Sequence, residues 1–325
     1  MKPNTCSYPY KADGERQTPC KRGGAVEKQY EQVELYAEKQ MAVRSARFTP
    51  VKAEERLTPT RISVYALLLT AAALALIPFL WLLAATIKPS EDIFGYTFFG
   101  PRATLQNFRD LFTTVPFARY ILNSVFIACT IVTVQLLLSS LAGFALAKYR
   151  FRGRKLVLLL MLGTMMIPGQ VTIAPSYELL YRLGLVDTYA GLILPAGVSV
   201  FGIFLFERAM HQVPDELIHA ARIDGCTEFG LYWNVVMPVV RPMVGAFCLI
   251  AFMGAWNSFL WPQIMLHTAS RFTLPIGLNQ MVGLYNQSYG MLMAGTFLAV
   301  LPVIVLFFVL QKEFVAGLTS GAVKG

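Results

Sequence analysis

Charge is what this sequence has least of: Asp, Glu, Lys and Arg supply 14% of its 325 residues, against 55% hydrophobic. A mean hydropathy of +0.53 goes with this. Such a composition excludes an ordinary soluble domain. No G-x-x-x-x-G-K-[ST] phosphate loop is present, so ATP binding through that motif is excluded. No Asp, Glu, Lys or Arg falls in the centre of a long apolar run. Proton- and ion-coupled carriers need such groups buried at mid-membrane. The five cysteines (Cys6, Cys20, Cys129, Cys226, Cys248) lack metal-type spacing, and none is expected on the oxidising side, so a disulfide framework is not expected. His211, His219 and His267 are scattered, and no metal ligand set is assigned. No serine–histidine or paired-carboxylate pattern suggests an enzyme.

What the chain has instead is long uncharged runs. A helix needs about 20 apolar residues to cross a bilayer. Uncharged stretches of 26, 28, 22, 19 and 29 residues follow Arg61, Arg119, Lys155, Asp187 and Arg241, and Met291–Leu310 adds 20. Any one of them could be a buried core helix, but six together predict an all-α membrane protein with six transmembrane helices. The cations set its orientation: 22 Lys/Arg fall on one side of these spans and 6 on the other. By the positive-inside rule both termini are cytoplasmic, in a plasma-membrane protein with many passes. The net charge of +9 is this asymmetry. It does not imply a nucleic-acid partner, because the N-terminal stretch mixes its 12 cations with 8 acids and shows no basic face with interleaved aromatics.

The chain divides into four regions. Residues 1–60 are a polar cytoplasmic tail without the short apolar core of a signal peptide. One amphipathic helix over Ala25–Val43 is compatible with its spacing, a mobile tail is the default expectation, and Met41 is an alternative start. Residues 61–117 carry the first span and the only sizeable extracytoplasmic loop, with a short interfacial helix expected over Asn107–Thr113. Residues 118–312 form a compact block of five spans. Pro168, Pro175, Pro195, Pro262 and Pro302 break or kink it, which a membrane tolerates only against protein or a water-filled path. Residues 313–325 are a short cytoplasmic C-terminal segment.

The polar stretch DELIHAARIDGCTEFGLYWNVVMPVVRP (215–242), within the loop 211–240, is the most distinctive feature. Pro214 suits a first helical turn, and Asp215 and Glu216 place negative charge at its positive end. Leu217, Ala220 and Ala221 recur at spacings of three and four as a small apolar face. Gly225, after Asp224, accepts the left-handed conformation that ends the helix. A second helix is expected over Glu228–Met237, stopped by Pro238. A mere connector would need far fewer residues, so this loop is expected to dock on another protein.

The segments RYILNS (119–124), FALAKYRFRGR (144–154), MIPGQV (166–171), GLILP (191–195), ELIHAARIDG (216–225), WNSFLWP (256–262), TLPIGL (273–278), GMLMAGT (290–296) and QKEFVAGLTSGAVKG (311–325), in this order, resemble binding-protein-dependent ABC importer permeases of the carbohydrate type. The likeness covers nearly everything after residue 60 and extends to the smaller permease of the maltose system. It implies an ABC type I importer permease fold and no catalytic residue or cofactor on this chain. ATP and Mg would sit on two copies of a cytoplasmic ATPase. The other implied partners are a homologous second permease, an extracytoplasmic solute-binding protein and the sugar solute.

In that family the polar stretch is the coupling loop, so the resemblance assigns ATPase coupling to Glu216, Leu217, His219, Ala220, Ala221, Asp224 and Gly225. His219 stands where the family has a second acid, Cys226 where it usually has Ala, and Ser258 where it usually has Asp. For a sugar path in spans 3 and 5, Gln170, Tyr177, Trp256, Asn257 and Gln263 offer hydrogen bonds and flat faces. Trp256 and Trp261 are equally compatible with packing. The C-terminal segment is expected between the two ATPase subunits. A permease of the same type for glycerol phosphate, a polyamine or an anion, and a self-contained secondary carrier, stay open as alternatives.

Overall fold

A computed structural model describes residues 59–95, 97–98, 102–282 and 288–320, with side chains to residue 317. The expectations for residues 1–58, including the amphipathic helix and the alternative start, lie outside the described residues. Packing divides the chain into two units, Met1–Leu76 and Ile77–Gly325, with the division inside the first helix, α1 (Pro59–Thr86). The described part of the first unit is helix throughout and exposed. Within it the Ser63 and Thr70 hydroxyls donate to carbonyls one turn back.

Among its described residues the second unit's regular elements are helices joined by turns and irregular segments, with no strand. After the end of α1 come α2 (Gln106–Thr114), α3 (Phe117–Lys148), α4 (Arg154–Thr164), α5 (Ile173–Arg182), α6 (Tyr189–Ala196) and α7 (Val200–His211). Then follow α8 (Asp215–Ile223), α9 (Glu228–Val239), α10 (Arg241–Trp256), α11 (Leu260–Met265), α12 (Leu274–Gln280) and α13 (Tyr289–Ser320). Three helices, α1, α3 and α13, are by themselves long and apolar enough to cross a membrane. The count reaches six only if each of three bent pairs is one span.

The bends fall where the backbone chemistry requires them. The third apolar window is two helices at 88°, α4 and Gly169–Arg182, parted at Pro168, which has no N–H to continue α4. The fourth is α6 and α7 at 42°; α7 restarts on Ser199, whose hydroxyl accepts from the Gly202 N–H at 3.0 Å. The fifth window is not one helix either. It ends at Trp256, restarts as α11, and α10 meets α9 at 82°. Pro238 does not stop the second helix of the polar loop, which continues to Val239 after a π-helical stretch, Leu231–Val236. A wider turn absorbs the missing proline N–H there.

α3 is the axis of this unit, packed along α7 and α10, while α10 packs along α13. The α3–α7 crossing is close because Gly143 faces Phe206: a Cβ added to it would stand 2.6 Å from the Phe206 Cβ. Phe206 is fully buried there with Phe144, Phe247 and Met210. The short helix expected before α3 is present as α2, with Asn107 and Leu111 inward and Phe112 exposed. The Asn107 amide donates to the Thr86 and Lys88 carbonyls at 2.8 and 2.7 Å.

Candidate functional site

The polar loop is a compact two-helix unit. α8 starts on Pro214 with Asp215 and Glu216 in its first turn. It ends as the sequence requires, on Gly225 with φ +80°. The Gly225 N–H donates to the Arg222 carbonyl at 3.1 Å and the Cys226 N–H to the Ala221 carbonyl at 3.0 Å. These two bonds form a Schellman closure, satisfying carbonyls the helix leaves orphaned. Thr227 then caps α9, its hydroxyl accepting from the Gly230 N–H at 3.1 Å.

The loop is fastened to the end of α3. The Lys148 ammonium, almost fully buried, donates to the Val213 carbonyl at 2.6 Å and to Asp215 at 2.8 Å. The Asp215 carboxyl is therefore held below its ordinary pKa, chiefly by the Lys148 hydrogen bond. The Glu228 carboxylate accepts from Arg222 at 3.0 and 3.2 Å and from the Tyr149 hydroxyl. The Arg222 guanidinium, then the Tyr149 phenol, hold Glu228 below the usual carboxylate range. Tyr149 is raised by burial first and by Glu228 second. Deeper in, the Ser140 and Tyr232 hydroxyls meet at 2.7 Å, and Tyr232 lies 5.5 Å from the Phe144 ring.

The face that α8 turns outward differs from the small-residue face expected of the sequence. Ala221 is buried with Ile218 against Val213 and Tyr232, and Leu217 packs partly on the same cluster. The buried stripe therefore serves the chain's own core. Glu216, His219, Asp224 and Gly225 are exposed and Ala220 half-buried. Around them stand three bulky apolar side chains that sequence reasoning passed over: Ile223 (82% exposed), Phe229 (69%) and Trp233 (55%). Hydrophobic residues that face solvent on an otherwise polar loop were the available signal.

The cluster behind the loop adds a buried carboxylate at the edge of the fourth apolar window. Glu207 on α7 accepts from Arg154 at 3.1 Å and lies 3.3 Å from the Arg208 guanidinium. Two cations make that burial tolerable and tie the start of α4 to α7.

The five residues proposed for a solute path are not brought together. Gln170 and Asn257 are exposed, and Tyr177 stacks on Tyr181 at 6.4 Å. Trp256 is buried, stacked on Phe252 at 5.5 Å, its indole N–H donating to the Ala299 carbonyl at 3.2 Å. The carbonyl oxygen of Gln263 is buried without a hydrogen-bond partner. A cavity of about 250 Å³ lies nearby, lined by Trp261, Gln135, Ser124, Ser258 and Thr273 among others, and by none of the five.

On the far end of α3 a second network fixes the segment between α11 and α12. Asp187, at φ +58°, accepts from the backbone N–H groups of His267 and Thr268 at 3.0 and 3.1 Å, from the Thr268 hydroxyl and from Arg271. Desolvation pushes its carboxyl up, but the Thr268 hydroxyl, those N–H groups and Arg271 outweigh it and hold the pKa at about 2. Asn123 donates to the Ser270 and Phe272 carbonyls at 3.1 and 2.9 Å and accepts from Tyr189 at 2.8 Å.

Residues 135–319 match the family described as "Binding-protein-dependent transport system inner membrane component". The arabinooligosaccharides transport system permease protein AraQ of Halalkalibacterium halodurans is 40% identical over 259 residues, 78% of this chain and 93% of that protein. The lactose transport system permease protein LacG of Rhizobium radiobacter is 35% identical over 80% of this chain and 95% of its own. In fold, the chain is similar to a chain of the crystal structure of a bacterial ABC transporter involved in the import of the acidic polysaccharide alginate. The TM-score is 0.71 at 22% identity, covering 80% of this chain and 98% of that one.

Proposed function

Because the chain belongs to the family of binding-protein-dependent transport system inner membrane components, we propose that it is the permease subunit of an ATP-driven sugar or oligosaccharide importer. It is a transport subunit and not an enzyme. The observation that carries the cargo is the length of the likeness to AraQ and LacG, both named for oligosaccharide or disaccharide transport, over more than nine-tenths of each. In this reading the complete importer has a second, homologous permease, two copies of a cytoplasmic ATPase that hold ATP and Mg, and an extracytoplasmic solute-binding protein. Both termini and the 211–240 loop face the cytoplasm.

The loop's construction supports its role as the contact with the ATPase. Its exposed face combines Glu216, His219, Asp224 and Gly225 with Ile223, Phe229 and Trp233. A charged rim around bulky apolar side chains is how a protein interface is commonly built. Its buried face locks onto α3 through Lys148 and Tyr149, so displacement of the loop by the ATPase moves α3 and α7 with it. Alternating access then follows as a rigid-body switch of packed helices.

The test is to purify the complete transporter, reconstitute it in proteoliposomes and measure uptake of labelled arabinotriose and lactose. Uptake that requires ATP and the binding protein supports the reading. Transport of glycerol phosphate, a polyamine or an anion in place of either sugar overturns the cargo, and uptake without the ATPase overturns the coupling.

A further inference from the structure

The turn between α3 and α4 concentrates charge in a chain that has little of it. Residues 148–155, KYRFRGRK, hold five cations and no acid. Both ends of the turn are fastened. The Lys148 ammonium is taken up by the Val213 carbonyl and Asp215, and the Tyr149 hydroxyl by Glu228. Arg154 is held by Glu207 at 3.1 Å, a carboxylate that Arg208 also neutralises at 3.3 Å. Between and beside these anchors stand Arg150, Arg152 and Lys155. All three are exposed, and they make no hydrogen bond or ion pair among the described residues. Gly153, at φ +88°, reverses the chain between them.

Their depth follows from the helices on either side. α3 is long and apolar enough to cross a membrane and ends at Lys148, and α4 opens the next apolar window at Arg154. The three cations therefore lie where the chain leaves the apolar layer, at the level of lipid headgroups. In the orientation proposed above this is the cytoplasmic leaflet, the one with a negative surface. The surface beneath them is apolar. Leu156, Leu159 and Leu160 share one side of α4 and are each more than half exposed, and Phe151 is 46% exposed between Arg150 and Arg152. Lys155 stands one turn from Leu159 on the same side. Unpaired cations above a continuous apolar face complement a molecule that is anionic at one end and apolar along its length.

We propose that the α3–α4 turn is a binding site for an anionic phospholipid. Arg150, Arg152 and Lys155 hold its phosphate, while Phe151 and the Leu156–Leu160 side of α4 meet its acyl chains. The site is separate from the polar loop, whose own cation Arg222 is paired with Glu228.

The test is lipid binding to the complete transporter in detergent, counted by native mass spectrometry during titration with phosphatidylglycerol or phosphatidylcholine. Each Lys or Arg beside an anionic lipid favours binding by about fivefold. Arg150→Gln, Arg152→Gln and Lys155→Gln should therefore each weaken the tightest phosphatidylglycerol equivalent by about fivefold, and the triple variant by about a hundredfold. Phosphatidylcholine binding should not change. Arg150→Lys with Arg152→Lys keeps the charge and should retain most of the affinity, which a loss of folding would not allow. Unchanged phosphatidylglycerol binding in the triple variant, or equal weakening of both lipids, overturns the site. Displacement of the lipid by inorganic phosphate at equal concentration makes it a site for soluble anions and overturns the lipid. Loss of the ATPase from the triple variant in lipid-free detergent assigns the turn to a protein contact instead. The readout is independent of the cargo, so a transporter that takes up neither arabinotriose nor lactose leaves this site standing.

Discussion

Replacing Gly225 separates two reasons for a glycine at that point. Its φ of +80° lies in the left-handed region, and a Cβ built there meets nothing within 4 Å. Within this chain the cost of a side chain is therefore conformational and not a clash. An L-residue held left-handed costs about 1–2 kcal/mol, less for Asn and more for a β-branched residue. An energy of that size shifts an equilibrium by roughly five- to thirtyfold. What is lost is the closing pair of bonds, from the Gly225 N–H to Arg222 and from the Cys226 N–H to Ala221. With them goes the reversal between the segments that carry the exposed Ile223 and Phe229.

The assay is binding-protein-stimulated ATP hydrolysis of the purified complex, together with membrane yield and melting temperature. Gly225→Asn should stay within about twofold of the parent, Gly225→Ala should lose about fivefold and Gly225→Val about thirtyfold, following the left-handed tolerance of each residue. Yield and melting should barely change, because the site is exposed and nothing packs on it. A Val variant with normal stimulation refutes the turn's importance. An Asn variant as poor as Val refutes backbone strain as the cause and makes the defect a steric one against the docked partner.

Lys148→Met should lower stability by about 1.5–3 kcal/mol, since a nearly buried cation loses two charge-assisted bonds, whereas Asp215→Asn, on the 64% exposed partner, should cost under about 1 kcal/mol; equal losses in thermal melting would contradict this. A double-mutant cycle of Tyr149→Phe with Glu228→Gln should give a coupling of about 0.5–1 kcal/mol, small because Glu228 is half exposed. Glu228 is depressed, so its contribution is complete above its ordinary value of 4.5 and fades only as pH falls through its lower folded value; the cycle measured at pH 6 and pH 8 should agree, and a coupling that disappears between them would contradict the assignment. With the native cysteines replaced, an impermeant thiol reagent outside intact cells should label Cys introduced at Gln106 and fail at Arg152 and Glu228; labelling at Glu228 inverts the orientation.

Local chemistry was legible in the sequence and three-dimensional facing was not. Pro214, the acids after it and Gly225 mark the bounds of α8 because caps and left-handed turns depend on nearest neighbours. The spacing of Leu217, Ala220 and Ala221 predicts a stripe but not which side meets water. That was decided by Val213 and Tyr232, which draw Ile218 and Ala221 inward. Trp256 and Trp261 show the same limit. Between them α10 ends, Phe259 sits at φ −121° and ψ −54°, and α11 restarts, so the helical phase is reset. One indole goes to Phe252 and Ala299 and the other to the cavity wall, a choice that no periodic reading across the break can make. The bent windows have the same origin: composition counts apolar residues, whereas Pro168 decides whether they stay on one axis.

One helix joins these parts. α3 ends at Lys148, which with Tyr149 fastens the polar loop, and it carries Gln135 and Ser124 into the cavity and Asn123 into the network around Ser270 and Phe272. At about 1.5 Å per residue, Lys148 and Gln135 are about 20 Å apart along a helix whose middle holds no proline or glycine before Gly143. Such a helix moves as a rod. Its close crossing with α7, Gly143 against Phe206, lies on the loop side of the cavity, so under the proposed coupling a push on the loop pivots α3 there and carries Gln135 and Ser124 relative to Thr273 and Trp261. Displacing those groups by even an ångström breaks the bonds of 2.6 Å from the Gln135 amide to Ala196 and of 2.7 Å from the Leu274 N–H to Ser124, since the interaction weakens steeply with distance and angle. Widening the crossing by changing Gly143 to Ala, which forces a Cβ to within 2.6 Å of Phe206, should therefore impair uptake more than it impairs ATP hydrolysis. Loss of both in equal measure would place the defect in the loop's fastening and not in what α3 transmits.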